Sequence, residues 1–402
     1  VTVAHDHHPP VRRAGPFRSS ALLDRILLAA AAWSALHLAF ALRWLLDPGS
    51  RPRFDDDGRF GLVALLPGAV TTWTVLGLAA TGLVLAIAAR RRRGIPGLPL
   101  VMAVEAVLLG AVSADLGVLS LLGYLCAIVG PAAFVAVLVV GSLRDRRARL
   151  ALLGVGAVLV AGVVSGLLRW EALSRLGSEL AGGFAANALV PAHLGLVLSG
   201  AVLWGAAAVL LRRSVAGRCA ACGRPAARWT EPANALRWGR IATWTAVAGP
   251  LPYAFLRATW LTPWPLGLPG GAELGTATRL FGLGLGLAAL GGAVLTVGLI
   301  RPWGEVWPGW VPGLRGRPVP VRVPVVAGGL VAAVLLAASP GVVLAGFEGL
   351  TAGDGMQAAL LLIFPTLPWG LALAAAVTAY AYRRRGACST CGQGEPALSV
   401  RP

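Results

Sequence analysis

From Leu98 to Leu143 the chain runs for 46 residues with only two charged side chains, Glu105 and Asp115. As helix, at 1.5 Å per residue, that stretch is roughly 69 Å long, about twice the ~30 Å hydrocarbon core of a bilayer. Both of its ends are basic, with Arg90 to Arg93 before it and a cluster at 144–149 after it. It reads as a hairpin of two membrane spans. Other apolar runs lie at about 22–46, 61–89, 151–168, 188–211, 241–261, 280–300, 323–344 and 358–382. The expected fold is therefore an all-α membrane protein of about ten transmembrane helices. Only 13% of the residues are charged and 57% are hydrophobic. A soluble domain carries about a quarter charged residues, so composition agrees.

The net charge of +18 would suggest nucleic acid in a soluble chain. Here the 35 basic residues, all arginine, sit mostly in short segments between apolar runs. The absence of lysine fits the codon bias of a GC-rich genome. The partner expected is thus the lipid bilayer, with no nucleic acid. Most arginines fall in 1–25, 90–93, 144–149, 212–240, 301–322 and 383–401, every second connection. Asp47, Asp55 to Asp57, Glu171, Glu179, Glu273, Glu348 and Asp354 fall in the others. The positive-inside rule then predicts a plasma-membrane protein with both termini cytoplasmic. The basic start runs into an apolar segment long enough to span, so no cleavable signal peptide is expected. The polar tail 1–20, with His5-Asp6-His7-His8, reads as disordered rather than as an accessory metal tract. In 170–184, Glu171, Arg175 and Glu179 share one helical face and Trp170, Leu173 and Leu180 another, the pattern of an amphipathic helix.

Four of the five cysteines form a phrase that occurs twice, Cys219-Ala-Ala-Cys222-Gly223 and Cys388-Ser-Thr-Cys391-Gly392. Each copy follows an apolar run and a basic cluster. Two thiolates two residues apart can grip one tetrahedral metal, and the glycine lets the knuckle turn. Two knuckles supply four sulfurs, a closed set. Zinc is the default metal and iron the alternative, since such pairs resemble rubredoxin knuckles. Neither copy has the proline common in those. A redox dithiol is the competing reading, but thioredoxin-like motifs open a helix, whereas these follow one. Four thiolates leave no open position, so the expected role is structural. Cys126, inside an apolar run, reads as a small packing residue.

The knuckles also suggest two parallel repeat units. The sixth span with Cys219–Gly223 matches the tenth with Cys388–Gly392, and Trp204-Gly205 matches Trp369-Gly370. His37 to Trp44 in the first span has the spacing of Tyr253 to Trp260 in the seventh. The expected organisation is a tail (1–20), a six-span unit (21–211), a linker with the first knuckle (212–240), a four-span unit (241–382) and a tail with the second knuckle (383–402). Spans three and four are the insertion, or the loss, that separates the units. Repeats of this kind are related by an axis along the membrane normal.

Ionisable groups inside spans are expensive and mark candidate sites. Tyr253, Arg257 and Trp260 share a face of the seventh span, loosened by Pro250 and Pro252. His37 holds the matching place on the first span. Together they suggest a cleft for an anion or polar solute. The competing reading has Arg257 snorkelling to the headgroups. Glu105 is a candidate proton or cation site, with His193 as a candidate partner for it or for a backbone carbonyl. Gly282 to Gly286 follows no strand and reads as close helix packing. No Walker, zincin or serine-triad pattern is present, so an enzyme is not favoured.

The stretch Pro250-Leu-Pro-Tyr253 to Gly267, followed by Arg301-Pro-Trp-Gly304 and Trp310-Val-Pro312, resembles multi-pass membrane proteins of high-GC Gram-positive bacteria. That resemblance implies a plasma-membrane location and no particular activity. The leading expectation is a transporter or permease-like protein, for an unknown small solute or ion, with a cytoplasmic four-cysteine metal clasp. The alternative is a metal- or redox-responsive membrane sensor or scaffold without a transported substrate. A water-filled cavity joining Glu105, His37 and Arg257 would favour transport. A solid bundle with paired knuckles would favour the sensor.

Overall fold

The structure, a computed structural model, describes residues 21–394 apart from 55–58, 144, 167–168, 226, 268–274, 310 and 312–313. The histidine-rich tail, Asp55 to Asp57 and Glu273 lie outside the described residues. Among the described residues there are thirteen α-helices and no strand. They are α1 (Ala21–Leu46), α2 (Gly68–Arg91), α3 (Leu98–Val112), α4 (Leu116–Ser142), α5 (Arg146–Val164), α6 (Trp170–Asn187), α7 (Leu189–Val215), α8 (Pro232–Ala248), α9 (Leu251–Thr259), α10 (Thr276–Val297), α11 (Arg322–Ala352), α12 (Gly355–Ile363) and α13 (Thr366–Arg383).

Eight helical segments are long and apolar enough to cross a membrane: α1, α2, α4, α5, α7, α10, α11 and the α12–α13 pair. Two of the ten expected spans differ. The third is α3, of 15 residues, which at roughly 22 Å falls short of a ~30 Å core. The seventh divides into α8 and α9 at Gly249-Pro250, where the proline cannot donate a backbone hydrogen bond. Phe364-Pro365 divides α12 from α13 in the same way. The 98–143 stretch does form a hairpin, turning at Ser113–Asp115. The helix at 170–187 is amphipathic as its pattern predicts, and its described side chains are all exposed.

The few acids in this apolar chain close turns. Asp115 caps α4 by accepting from Gly117 N, Asp145 caps α5 from Arg147 N, and Asp354 caps α12 from Met356 N and Gln357 N. Such caps satisfy donors that no hydrocarbon could. Asp115 is 1% exposed and pairs with Arg59 at 2.9 Å.

Two cores result. One joins α1, α2, α3 and α7, and the other joins α8, α11 and α13. Val334 and Ala337 bring α11 into the first core as well. Close crossings rest on glycines. A Cβ at Gly239 of α8 would come within 2.5 Å of the Ala379 Cβ of α13. Gly205 of α7 faces Ala106 of α3, and Gly370 of α13 faces Leu335 and Leu336 of α11. The main packing partner of α5 is α4, not α7.

Candidate metal centre

Antiparallel packing sets which helix ends meet. Trp33 of α1 donates to Leu196 O of α7 and lies against Gly200, while His37 meets His193, so the two helices run antiparallel and the start of α1 lies beside the end of α7. α7 and α13 both finish on this face, and each is followed within a few residues by a knuckle. The segment carrying the first knuckle runs 216–231, between α7 and α8.

The two knuckles have one backbone geometry. Cys219 N donates to Arg224 O and Gly223 N to Cys219 O, at 2.8 and 2.7 Å. Cys388 N donates to Gln393 O and Gly392 N to Cys388 O, at 3.0 and 2.7 Å. Gly223 and Gly392 take φ of +75° and +71°, the left-handed region where a side chain is strained.

The knuckles face each other. Cys219 Sγ lies 4.0 Å from Cys388 Sγ, and Cys222 Sγ lies 3.5 Å from Cys391 Sγ. All four sulfurs fall within 4.8 Å of one another, and all four residues are half-buried. A tetrahedral ion with ~2.3 Å metal–sulfur bonds sets its sulfurs about 3.8 Å apart. The four thiols therefore could hold one tetrahedral metal ion.

The electrostatics agree with a cation. Burial pushes the Cys222 thiol up to about 12 and moves Cys391 upward as well. Burial also opposes ionisation at Cys388. There the backbone N–H groups of Cys391 and Thr390, with the Cys222 and Cys391 thiols, outweigh it and bring Cys388 down to about 6. The cluster accepts a first negative charge easily and further ones only beside a cation.

Three arginines frame the site by bonding backbone carbonyls. Arg224 donates to Gln393 O at 2.6 Å and to Gly386 O at 3.2 Å, crossing from one knuckle to the other. Arg385 donates to Cys222 O at 2.9 Å and to Thr230 O at 3.0 Å, crossing back. Arg213 reaches Ala220 O and Ala221 O. Under them, Trp229 packs against Trp238 and Tyr382. Arg218 is exposed, while the roles of Arg213 and Arg385 were hidden in clusters that also mark topology.

The other candidate residues fall into three separate places. His37 and His193 lie near the opposite face, their rings tilted with centroids 5.5 Å apart, inside a cage of Trp33, Phe40, Trp44 and Phe54. His37 Nδ1 bonds Trp33 O, and the Nε2 atoms of both histidines are buried without a partner. Glu105 is 2% exposed on the core side of α3, and its Oε1 has no partner. Among the described residues, no hydrogen bond or ion pair joins His193 to Glu105; its ring neighbours are His37, Phe40, Trp44 and Phe54. Arg257 lies over the rings of Trp260 and Tyr253, at 4.0 and 5.0 Å, beside Gly282 and Gly286 of α10. Among the described residues, no hydrogen bond, ion pair or ring contact joins Arg257 or Tyr253 to His37 or Glu105. Cys126 is exposed on α4 rather than packed inside. No protein-family model, no curated protein and no solved structure matches this chain.

Proposed function

We propose that this is a multi-pass membrane protein whose two helical units are held together at one face by a four-thiolate metal site, and that occupancy of this site sets how firmly they are held. The observation that carries the reading is the meeting of Cys219 and Cys222 with Cys388 and Cys391, 169 residues away in sequence. A closed set of four sulfurs has a structural or sensing role rather than a catalytic one. Zinc is the metal we assign, with iron as the alternative. The arginine distribution supports a cytoplasmic location for the clasp, in the plasma membrane of a bacterium, where thiols stay reduced. A metal- or redox-responsive scaffold fits the packed first core and paired knuckles better than a transporter does.

We also read the two units as parallel repeats, in a form that differs from the sequence expectation. The Trp-Gly glycine of α7 faces α3, and that of α13 faces α11. This supports matching α3, not α5, with α11. The insertion is then the α4–α5 hairpin with α6.

Transport keeps one supporting observation. Ser34 Oγ, His37 Nε2, Thr71 Oγ1, Glu105 Oε1, His193 Nε2 and Trp204 Nε1 are buried without a partner in the first unit, as are Thr243 Oγ1 and Arg257 Nε in the second. Buried polar atoms of this kind inside a bundle mark solute or proton paths.

Metal analysis tests the leading reading. Chain purified under reducing, chelator-free conditions should hold about one zinc or iron ion. Cys388→Ser should drop this to a small fraction while leaving membrane insertion unchanged. A metal-free wild-type chain would overturn the clasp.

A further inference from the structure

A cavity of about 360 Å³ lies between α8, α10, α11 and α13, toward their clasp-side ends. α10 packs on α8 and α9, α11 packs on α13, and the cavity occupies the gap between these two groups. Its walls include Leu299, Val323, Ala327, Val331 and Leu373, and Thr296 supplies the one side-chain hydroxyl. The segment 301–321 folds over one end, with Trp303, Trp307 and Val311 against the space.

Two observations say what belongs there. The first is where the cavity opens. The side chains of α10 and α11 around it are apolar and exposed: Val294 60%, Leu295 71%, Val323 49% and Val326 68%. In helices of this length and hydropathy such side chains face hydrocarbon, so the gap opens toward acyl chains. The second is charge. Arg301, Arg315, Arg317 and Arg322 lie on the covering segment and the first residue of α11, and all four are exposed. From Gly282 to Gly346 the only carboxylate is Glu305, and it is already ion-paired to Arg383. The covering segment and the start of α11 therefore present four exposed cations, and the one carboxylate of the region is already paired. Basic clusters at a membrane surface attract anionic headgroups by about 1 kcal/mol per residue.

We propose that this cavity takes one acyl chain of an anionic phospholipid from the leaflet on the clasp side, with the lipid phosphate held among Arg301, Arg315, Arg317 and Arg322. The wall fixes the chain by apolar contact, and the arginines select the headgroup. Pockets of ~300–1,000 Å³ are the usual size for a small ligand.

The test uses the full chain, reconstituted in vesicles of equal phosphatidylglycerol and phosphatidylcholine, then extracted and weighed intact by native mass spectrometry. The wild type should retain about one phosphatidylglycerol per chain. Gly292 lines the cavity, and a Cβ there meets nothing within 4 Å, so Gly292→Phe fills the space without displacing backbone. It should lower retention roughly tenfold or more. Gly291→Phe, where a Cβ is equally free but the cavity is not lined, should leave retention unchanged. Ala327→Phe repeats the block from the facing helix. Arg301→Gln with Arg322→Gln should retain both lipids alike. The proposal is overturned if the wild type retains no lipid, if it retains phosphatidylcholine equally, or if both blocking variants retain lipid as the wild type does. It is also overturned if a second copy of the chain, rather than lipid, accompanies the wild type and is lost in the blocked variants. Metal content measured on the same samples separates this outcome from the fate of the clasp.

Discussion

At the scale of single residues, the clasp has a division of labour. Sulfurs supply the metal set, and arginines supply the frame. Arg224→Ala removes three carbonyl bonds that cross to the second knuckle's segment, at Gln393, Gly386 and Arg385. Each such bond to a charged donor contributes ~1.5–3 kcal/mol, so metal retention against a chelator should fall at least roughly tenfold. Arg218→Ala, at an exposed position, should leave retention unchanged, and equal losses in the two variants would refute the frame. The pH dependence follows from the thiols. Cys222 is held up to about 12 and Cys391 is also raised, so near neutral pH both are protonated until a metal displaces the protons. Binding then releases protons, and affinity falls as pH falls, by about tenfold per pH unit for each proton released. Titration of metal affinity between pH 6 and 8 should show a slope of at least about two, the contribution of these two thiols; a flat profile would refute it. The four cysteines were legible in the sequence because spacing and duplication carry their chemistry. Arg213 and Arg385 were not, because an arginine that bonds a carbonyl across the chain looks, in sequence, like any arginine that marks a membrane face.

At the scale of elements, hydropathy runs located the helices well and their breaks less well. The 98–143 hairpin was legible because 46 apolar residues cannot form one span. The shortness of α3 was not, since its run continues without a polar break into the Ser113–Asp115 turn. Pro250 and Pro252 announced a loosened helix, and the chain divides there into α8 and α9. Pairwise packing was the least legible level. Small residues are spread through every span, and only their meeting with a particular neighbour gives them meaning. Gly239 shows this: a Cβ there would meet Ala379 Cβ at 2.5 Å. Gly239→Leu should therefore force α8 and α13 apart and cost about 1–3 kcal/mol or more, seen as a lower Tm in detergent. Gly291→Leu, where a Cβ meets nothing, should leave Tm within error. If both variants melt alike, the α8–α13 crossing is not as close as described.

At the scale of the whole molecule, the two cores are joined at both faces, by different means. Away from the clasp, the join is backbone against backbone. Gly341 of α11 sits so close to Phe60 O and Leu116 N that a Cβ would collide with both. There Leu116 N donates to Phe60 O, and Leu62 N to Ala114 O, each at 2.9 Å. On the clasp face, the join passes through Arg385, the last of three consecutive arginines that tie the end of α13 to its surroundings. Arg385 bonds the first knuckle's segment at Cys222 O and Thr230 O. Arg384 bonds Val319 O and Glu305 O in the segment 301–321, and Arg383 bonds Leu299 O and pairs with Glu305. A metal that fixes Cys388 fixes the chain just beyond these arginines, and its loss frees them to fray. Chelation of the metal should therefore raise amide hydrogen exchange in 216–231 and 301–321 together, while 60–62 and 113–116 stay protected. Exchange followed by mass spectrometry, with and without chelator, reads this directly. Equal rises at both faces would mean that the metal holds the whole bundle. No rise in 301–321 would mean that the arginines do not carry the clasp's order beyond the knuckles. The asymmetric result is the expected one, because only the clasp face depends on an ion for contacts that the opposite face makes with its own backbone.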